Sequence, residues 1–192
     1  MNRREALRRT AAITGVAVSS SVSIAFLKGC SPSGKPSWPP IFLKPEEIQI
    51  VSAIADTILP KTDTPGALDV SVPEFIDLML RDIYGDDEKA TFRAELKAFN
   101  DGVDSKYGNP FHECTKEEQS SIIGEQEEAI SSGEMWNGTR NFYHTLKQLT
   151  LLGFFTSEQV MTTMLDYNPI PGRQEGCIPL GPDGRVYVDN NV

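Results

Sequence analysis

The feature that most constrains the fold of this chain is a repeated helix-start pattern, in which capping residues precede apolar residues at helical spacing. Such starts occur at residues 45–47, 71–74, 115–118 and 156–159. A Ser or Thr followed three residues later by Glu or Gln can satisfy the free N–H groups of a first helical turn, and Pro is tolerated there. Strand signals are nearly absent before residue 167. The sequence therefore predicts a mainly α fold, a single compact bundle of about five to seven helices.

The apolar spacing places the predicted helices within one helical domain, residues 45–167. They cover approximately residues 45–59, 72–79, 86–107, 116–130, 134–155 and 157–167. The remaining residues, 168–192, are rich in Pro and Gly and form a predicted extended C-terminal arm. Within it, the turn signal at 182–184 lies between apolar residues at 178–180 and 186–188, so a small hairpin is the alternative.

The first 29 residues have the organisation of an export signal. A basic stretch ends at Arg9, and an uncharged, mildly apolar run extends from Thr10 to Leu27. Arg3 and Arg4 match the pair of a twin-arginine signal. The run is short and rich in Ser and Ala, whereas a permanent transmembrane helix needs about 20 strongly apolar residues. Residues 1–29 are predicted to be a twin-arginine signal peptide; the alternative is an ordinary helix with a basic start.

Cys30 stands where a bacterial lipoprotein carries its lipid. Leu27 and Gly29 match the pattern that precedes a lipidated Cys, whereas Lys28 departs from the small or apolar residue usual there. We expect lipidation of Cys30, followed by a tether over residues 30–44 whose Pro, Ser and Gly content disfavours helix and strand. The predicted location is periplasmic, with the chain anchored to a membrane.

The charge distribution excludes one class of partner. The formal net charge is −9, but residues 1–29 carry five basic residues and one acidic residue. The chain from Cys30 onwards therefore holds 13 basic and 26 acidic residues. Nucleic-acid affinity depends on neutralising phosphates with Lys and Arg. Nucleic-acid binding is therefore not expected.

The cysteines and histidines do not form a recognisable metal motif. Three Cys without a C-x-x-C pair cannot build a four-Cys zinc or iron–sulfur site, and His112 and Cys114 have no second ligand pair nearby. If Cys30 is lipidated, Cys114 and Cys177 remain as a possible disulfide. The alternatives are two separate thiols and a bridge from Cys177 to a partner. His144 is interpreted as a core or interface residue.

No nucleophile elbow, dinucleotide-binding fingerprint or P-loop occurs in the sequence. The aspartates of the first helices are interpreted as helix-end and surface acids: Asp56, Asp63, Asp69, Asp77 and Asp82. No catalytic constellation, cofactor site or metal site is nominated on this chain.

Two blocks of sequence resemble a known family. The first is ADTILPKTDTPGA at 55–67 with VPEFI at 72–76; the second is LKQLTLLGFFTSE at 146–158, followed by YNPIPGR at 167–173 and GCIPL at 176–180. Together they resemble the gluconate 2-dehydrogenase subunit 3 family over about residues 45–180. Residues 86–133 match it in helical character only.

The resemblance implies an accessory role. Members are small subunits of membrane-associated dehydrogenases whose large subunit, of the glucose–methanol–choline type, binds FAD and oxidises sugars, sugar acids or related alcohols. A cytochrome c subunit often accepts the electrons. The small subunit has no cofactor of its own and is implicated in export and maturation of the large one. The alternatives are a stand-alone acidic lipoprotein that binds a partner and, less favoured, an enzyme in its own right.

The segment TDTPGA is the candidate docking loop. Pro65 fixes its own φ, Gly66 permits a positive φ, and Thr62, Asp63 and Thr64 can bond nearby backbone groups. Two interpretations remain open, a rigid connector between two helices and a shaped loop that docks on the flavoprotein. Phe154 and Phe155, in the second block, are expected in the core, with Thr156 as a helix cap.

Overall fold

The computed structural model describes residues 38–131, 141–170, 177, 179–180 and 182–189. The order of elements is α1 (Pro45–Ile58), α2 (Val72–Asp82), α3 (Asp86–Tyr107), a 3-10 turn (Phe111–Glu113), α4 (Lys116–Ser131), α5 (Phe142–Phe155), α6 (Glu158–Thr163), β1 (Leu165–Asn168) and β2 (Val186–Asp189). The fold is mainly helical, and the predicted number of helices is confirmed.

Helices α1 and α5 form the centre of the bundle. Helix α1 packs on α2, α4, α5 and the 3-10 turn, and α5 packs on α2, α3 and α6 as well. Val51, Ile54 and Ala55 of α1 are fully buried. The rings of Phe92 and Phe99 in α3 contact Phe142 of α5 at centroid distances of 6.3 and 5.2 Å. Among the described helices, none combines the length and the apolar character needed to cross a bilayer.

Short-range capping defines most helix starts. Glu47, Glu88 and Glu118 each accept a hydrogen bond from the backbone N–H three residues earlier, at 2.8, 2.9 and 2.8 Å. The Glu118 N–H donates back to the Thr115 hydroxyl at 3.3 Å. The capping box predicted at 115–118 is therefore confirmed.

Two of the predicted helix starts are wrong in their N-cap residue. Ser71 has a left-handed backbone conformation (φ 57°, ψ 33°) and makes no side-chain capping bond, because a capping residue needs an extended backbone. Thr156 closes α5 with its hydroxyl donating to the Leu152 carbonyl at 2.7 Å, and Ser157 caps α6 by accepting from the Val160 N–H at 3.4 Å. The helix expected over 134–155 begins in the described chain at Phe142, capped by Asn141; residues 132–140 lie outside the described residues.

The C-terminal part differs from the expectation at residues 165–168. Residues 165–167, expected in the last helix, form β1 together with Asn168. This strand pairs in parallel with β2, from Leu165 opposite Val186 to Asn168 opposite Asp189. Of the hairpin considered for the arm, the described residues 179 and 180 are not in a strand, and Val186–Asp189 pairs with β1. Exposed Ile170, Leu180 and Val186 fit an arm outside the helical core.

Candidate functional site

The candidate docking loop connects α1 to α2 and is closed at its base by backbone hydrogen bonds. The Ala67 N–H donates to the Leu59 carbonyl at 2.9 Å, and the Val72 N–H donates to the Ala67 carbonyl at 3.1 Å. Ala67 itself is fully buried. The loop is thus fixed to the ends of both helices that it joins.

Gly66 is required for a reason other than the expected one. The positive φ that Gly permits is not used, since Gly66 is not among the described residues with positive φ. A Cβ at this position would lie 2.6 Å from the Lys61 nitrogen, 2.9 Å from the Pro60 carbonyl carbon and 3.0 Å from the Leu59 oxygen. Gly66 is buried, and its lack of a side chain lets the two sides of the loop come together.

The tip of the loop exposes polar side chains that a partner protein could bind. Thr62, Asp63 and Thr64 are exposed, and Pro65 is half-buried. The Thr62 N–H donates to the Thr64 carbonyl at 3.1 Å, and the two threonine hydroxyls lie 3.1 Å apart. The structure therefore brings these four predicted residues together at one tip on a buried base formed by Gly66.

Asp69 holds the far side of the loop and was not recognised from sequence. Its carboxylate accepts from the Gly66 N–H at 2.9 Å and from the Lys61 ammonium at 2.8 Å. The hydrogen bond from Lys61, and then the one from Gly66, lower the pKa of Asp69. The Gly-x-x-Asp spacing is the signal that could have indicated it. Leu68, next to this clamp, is 48% exposed and adds an apolar contact surface.

Asp77 is buried, so its interpretation as a surface or helix-end acid is wrong. It lies in α2 with 1% of its surface exposed. Its carboxylate accepts three consecutive backbone N–H groups, from Ile41 at 2.7 Å, Phe42 at 3.0 Å and Leu43 at 2.6 Å. These bonds compensate for the loss of solvation, as a buried carboxylate requires. Asp77 thus fastens the segment before α1 onto α2.

A polar cluster joins α4 to α5. Glu127 accepts from the Tyr143 hydroxyl and from the Lys147 ammonium, the latter at 2.5 Å. Burial, followed by the hydrogen bond to Glu127, raises the pKa of Tyr143 above its usual range. Burial acts to raise the pKa of Glu127, but the bonds from Lys147 and Tyr143 outweigh it, so that pKa is lowered. The cluster therefore links α4 to α5 through side-chain hydrogen bonds, and we call it the helix clip.

The structure does not bring the predicted cysteine pair together. Cys114 is a buried free thiol and Cys177 an exposed one. The Cys114 thiol faces the carbonyls of Asn109 and Pro110 at 3.7 and 3.6 Å, and burial, with lesser contributions from nearby carboxylates, raises its pKa. The disulfide is not formed in this structure, and the pairing stays a prediction.

The remaining expectations concern metal ligands, the export and lipidation residues, and the two phenylalanines of the second block. The described part of the chain contains no group of three or more His, Cys, Asp or Glu side chains able to hold a metal ion. Arg3, Arg4 and Cys30 lie outside the described residues. In the second resemblance block, Phe154 is buried as expected, but Phe155 is 46% exposed, so its assignment to the core is wrong.

Comparison with known proteins assigns the chain to a family. Residues 45–172, two-thirds of the chain, match the family described as gluconate 2-dehydrogenase subunit 3. No curated protein and no solved structure matches the chain. The matched range contains all six described helices, the candidate docking loop and β1. The chain belongs to the gluconate 2-dehydrogenase subunit 3 family.

Proposed function

We propose that this chain is the non-catalytic accessory subunit of a periplasmic, membrane-associated dehydrogenase. Its large partner would be an FAD-dependent protein of the glucose–methanol–choline type that oxidises a sugar or sugar acid, with a cytochrome c subunit as a further possible partner. The observation that carries the proposal is the family match over residues 45–172. In this proposal FAD belongs to the partner, and the present chain supplies the export signal and supports maturation of the flavoprotein.

The described polar groups support a scaffolding role. The carboxylates of Asp69, Asp77 and Glu127 each bind backbone N–H groups or cationic and hydroxyl side chains of this chain. The candidate docking loop has an exposed tip on a fixed base, which reduces the entropy lost when a partner binds. Such a loop is suited to recognition of a folded subunit.

The loop can be tested by reversing one charge. Asp63→Arg changes the exposed tip, and we expect about tenfold weaker binding of the flavoprotein, equivalent to about 1.4 kcal/mol. Asp104→Arg, an exposed charge reversal on α3, is the matched control. Co-purification from membranes measures both. Equal binding by the two variants would remove the loop from the interface.

Export and partnership are tested together with the arginine pair. In Arg3→Lys/Arg4→Lys, both this chain and its flavoprotein should remain in the cytoplasm, because the flavoprotein is proposed to travel bound to it. Fractionation with an FAD fluorescence assay locates both proteins. A flavoprotein that still reaches the periplasm would refute co-export, and isolation of the wild-type chain without any flavoprotein would favour a stand-alone lipoprotein.

Anchoring is tested at the predicted lipidation site. Cys30→Ser should move the chain from the membrane fraction to the soluble fraction, because the lipid is attached at this residue. Unchanged membrane association would show that Lys28 prevents lipidation or that another subunit supplies the anchor.

A further inference from the structure

The segment before α1 is bound to the helical body on both sides of its backbone. We call residues 38–43 the N-terminal strap. Asp77 accepts the N–H groups of its last three residues, while the Arg93 guanidinium of α3 donates to the Phe42 carbonyl. The same guanidinium carbon lies 4.1 Å from the centroid of the Phe42 ring. Two helices that follow the strap in sequence therefore form its seat.

The side chains of the strap add apolar contacts. Leu43 is 3% exposed and belongs to the core, and Trp38 and Phe42 pack partly buried against it. Ile41, in contrast, is 58% exposed. The strap is thus held by one buried carboxylate, one arginine and three apolar side chains, and its outer edge faces solvent.

We propose that the N-terminal strap is a clasp that closes only on the folded body and fixes the point where residues 1–37 leave it. The seat requires Asp77 and Arg93, which lie 34 or more residues after the strap and are held near each other because α2 and α3 both pack on α5. In an unfolded chain these two side chains are not held beside the strap. The strap therefore takes its bound position only after the body has folded.

The clasp also limits how far the body can move from an anchor. Trp38 lies eight positions after Cys30, so the chain between them can span at most about 26–29 Å. With the strap released, the fifteen positions from Cys30 to Pro45 can span at most about 50–54 Å. This consequence for membrane distance rests on the proposed lipidation of Cys30; the clasp itself does not.

The test is hydrogen–deuterium exchange, measured by mass spectrometry on the purified full chain in detergent. Asp77→Asn replaces a carboxylate oxygen with an amide donor facing backbone N–H groups, so we expect at least tenfold faster exchange in the strap. Peptides of α5 should keep their wild-type protection. Asp82→Asn is the matched control, because Asp82 lies in the same helix and pairs with Arg81 at the surface. Arg93→Met, which retains Asp77, is the second variant if Asp77→Asn does not fold.

Two outcomes would overturn the clasp. Unchanged strap exchange in both Asp77→Asn and Arg93→Met would show that these contacts do not close it. An equal rise in exchange in the strap and α5 would show that the strap opens only with the whole body. Either result concerns the clasp alone.

Chymotrypsin treatment of membranes tests separately whether the strap shortens the distance between the body and its membrane anchor. Cleavage after Phe42 should release the body faster from Asp77→Asn than from wild type. Equal release would overturn the shortening of the anchor, and a body already soluble before protease would overturn lipidation while leaving the exchange result intact.

Discussion

Replacing Gly66 with Ala would place a methyl group inside the candidate docking loop. The new Cβ would lie within 3.0 Å of three backbone atoms, belonging to Leu59, Pro60 and Lys61. Backbone atoms cannot rotate away as a flexible side chain can, so the loop has to open. The hydrogen bond from the Ala67 N–H to the Leu59 carbonyl closes this same approach and would lengthen.

The expected loss of stability follows from these two effects. Overpacking of a buried site costs about 1–3 kcal/mol, and a weakened backbone hydrogen bond costs about 1 kcal/mol. The reduced entropy of the unfolded chain offsets about 0.4–1 kcal/mol. The free energy of unfolding should therefore fall by about 1–3.6 kcal/mol, which corresponds to a Tm lowered by about 2–14 °C for a chain of this size.

Urea and thermal unfolding followed by circular dichroism measure this change. The matched control is Gly102→Ala in α3, where nothing lies within 4 Å of the new Cβ. Ala is favoured over Gly within a helix by about 0.5–1 kcal/mol, so the control should be more stable than wild type. A loss below about 0.5 kcal/mol for Gly66→Ala, or the same sign for both variants, would refute the close approach.

Three further outcomes follow from individual contacts. Lys61 and Gly66 lower the folded-state pKa of Asp69. The stability advantage of wild type over Asp69→Asn should therefore be full above the ordinary Asp pKa of about 4, and it should disappear as the pH falls through the lowered pKa. Urea titrations at several pH values measure this difference in stability, and a pH-independent difference would contradict the prediction. Tyr143→Phe removes a hydroxyl bound to a charged carboxylate and should cost about 1.5–3 kcal/mol in urea unfolding, and an unchanged midpoint would show that the helix clip is not stabilising. Iodoacetamide should alkylate exposed Cys177 at least tenfold faster than buried Cys114, whereas protection of both, with a crosslinked peptide under non-reducing conditions, would show the disulfide instead.

The features that could be predicted from sequence are those whose contacts are local. The helix starts at Pro45 and Lys116 depend on hydrogen bonds within three residues, so the pattern of residues was sufficient. The apolar stripe of α1 likewise needed only helical spacing, and its residues Val51 and Ala55 are buried as expected. The grouping of the loop tip residues followed from their adjacency in the chain.

The features that were missed depend on partners far away in sequence. Asp77 is indistinguishable from a solvated helix acid until residues 41–43 are folded against it. Residues 165–167 were assigned to the last helix, and the strand conformation of residues 165–168 depends on pairing with residues 186–189. Gly66 illustrates a third case, since the requirement for Gly came from tertiary contact and not from its own φ.

The limits of the family match coincide with the two long-range attachments. The strap at 38–43 and strand β2 (Val186–Asp189) both lie outside residues 45–172, whereas the groups that bind them, Asp77 and β1 (Leu165–Asn168), lie inside. Apart from Leu43, the buried apolar residues of the described chain run from Ile48 to Val160 and lie within the matched range. The helical bundle therefore provides the described hydrophobic core apart from Leu43, and the flanking segments are bound by residues that lie within the matched range.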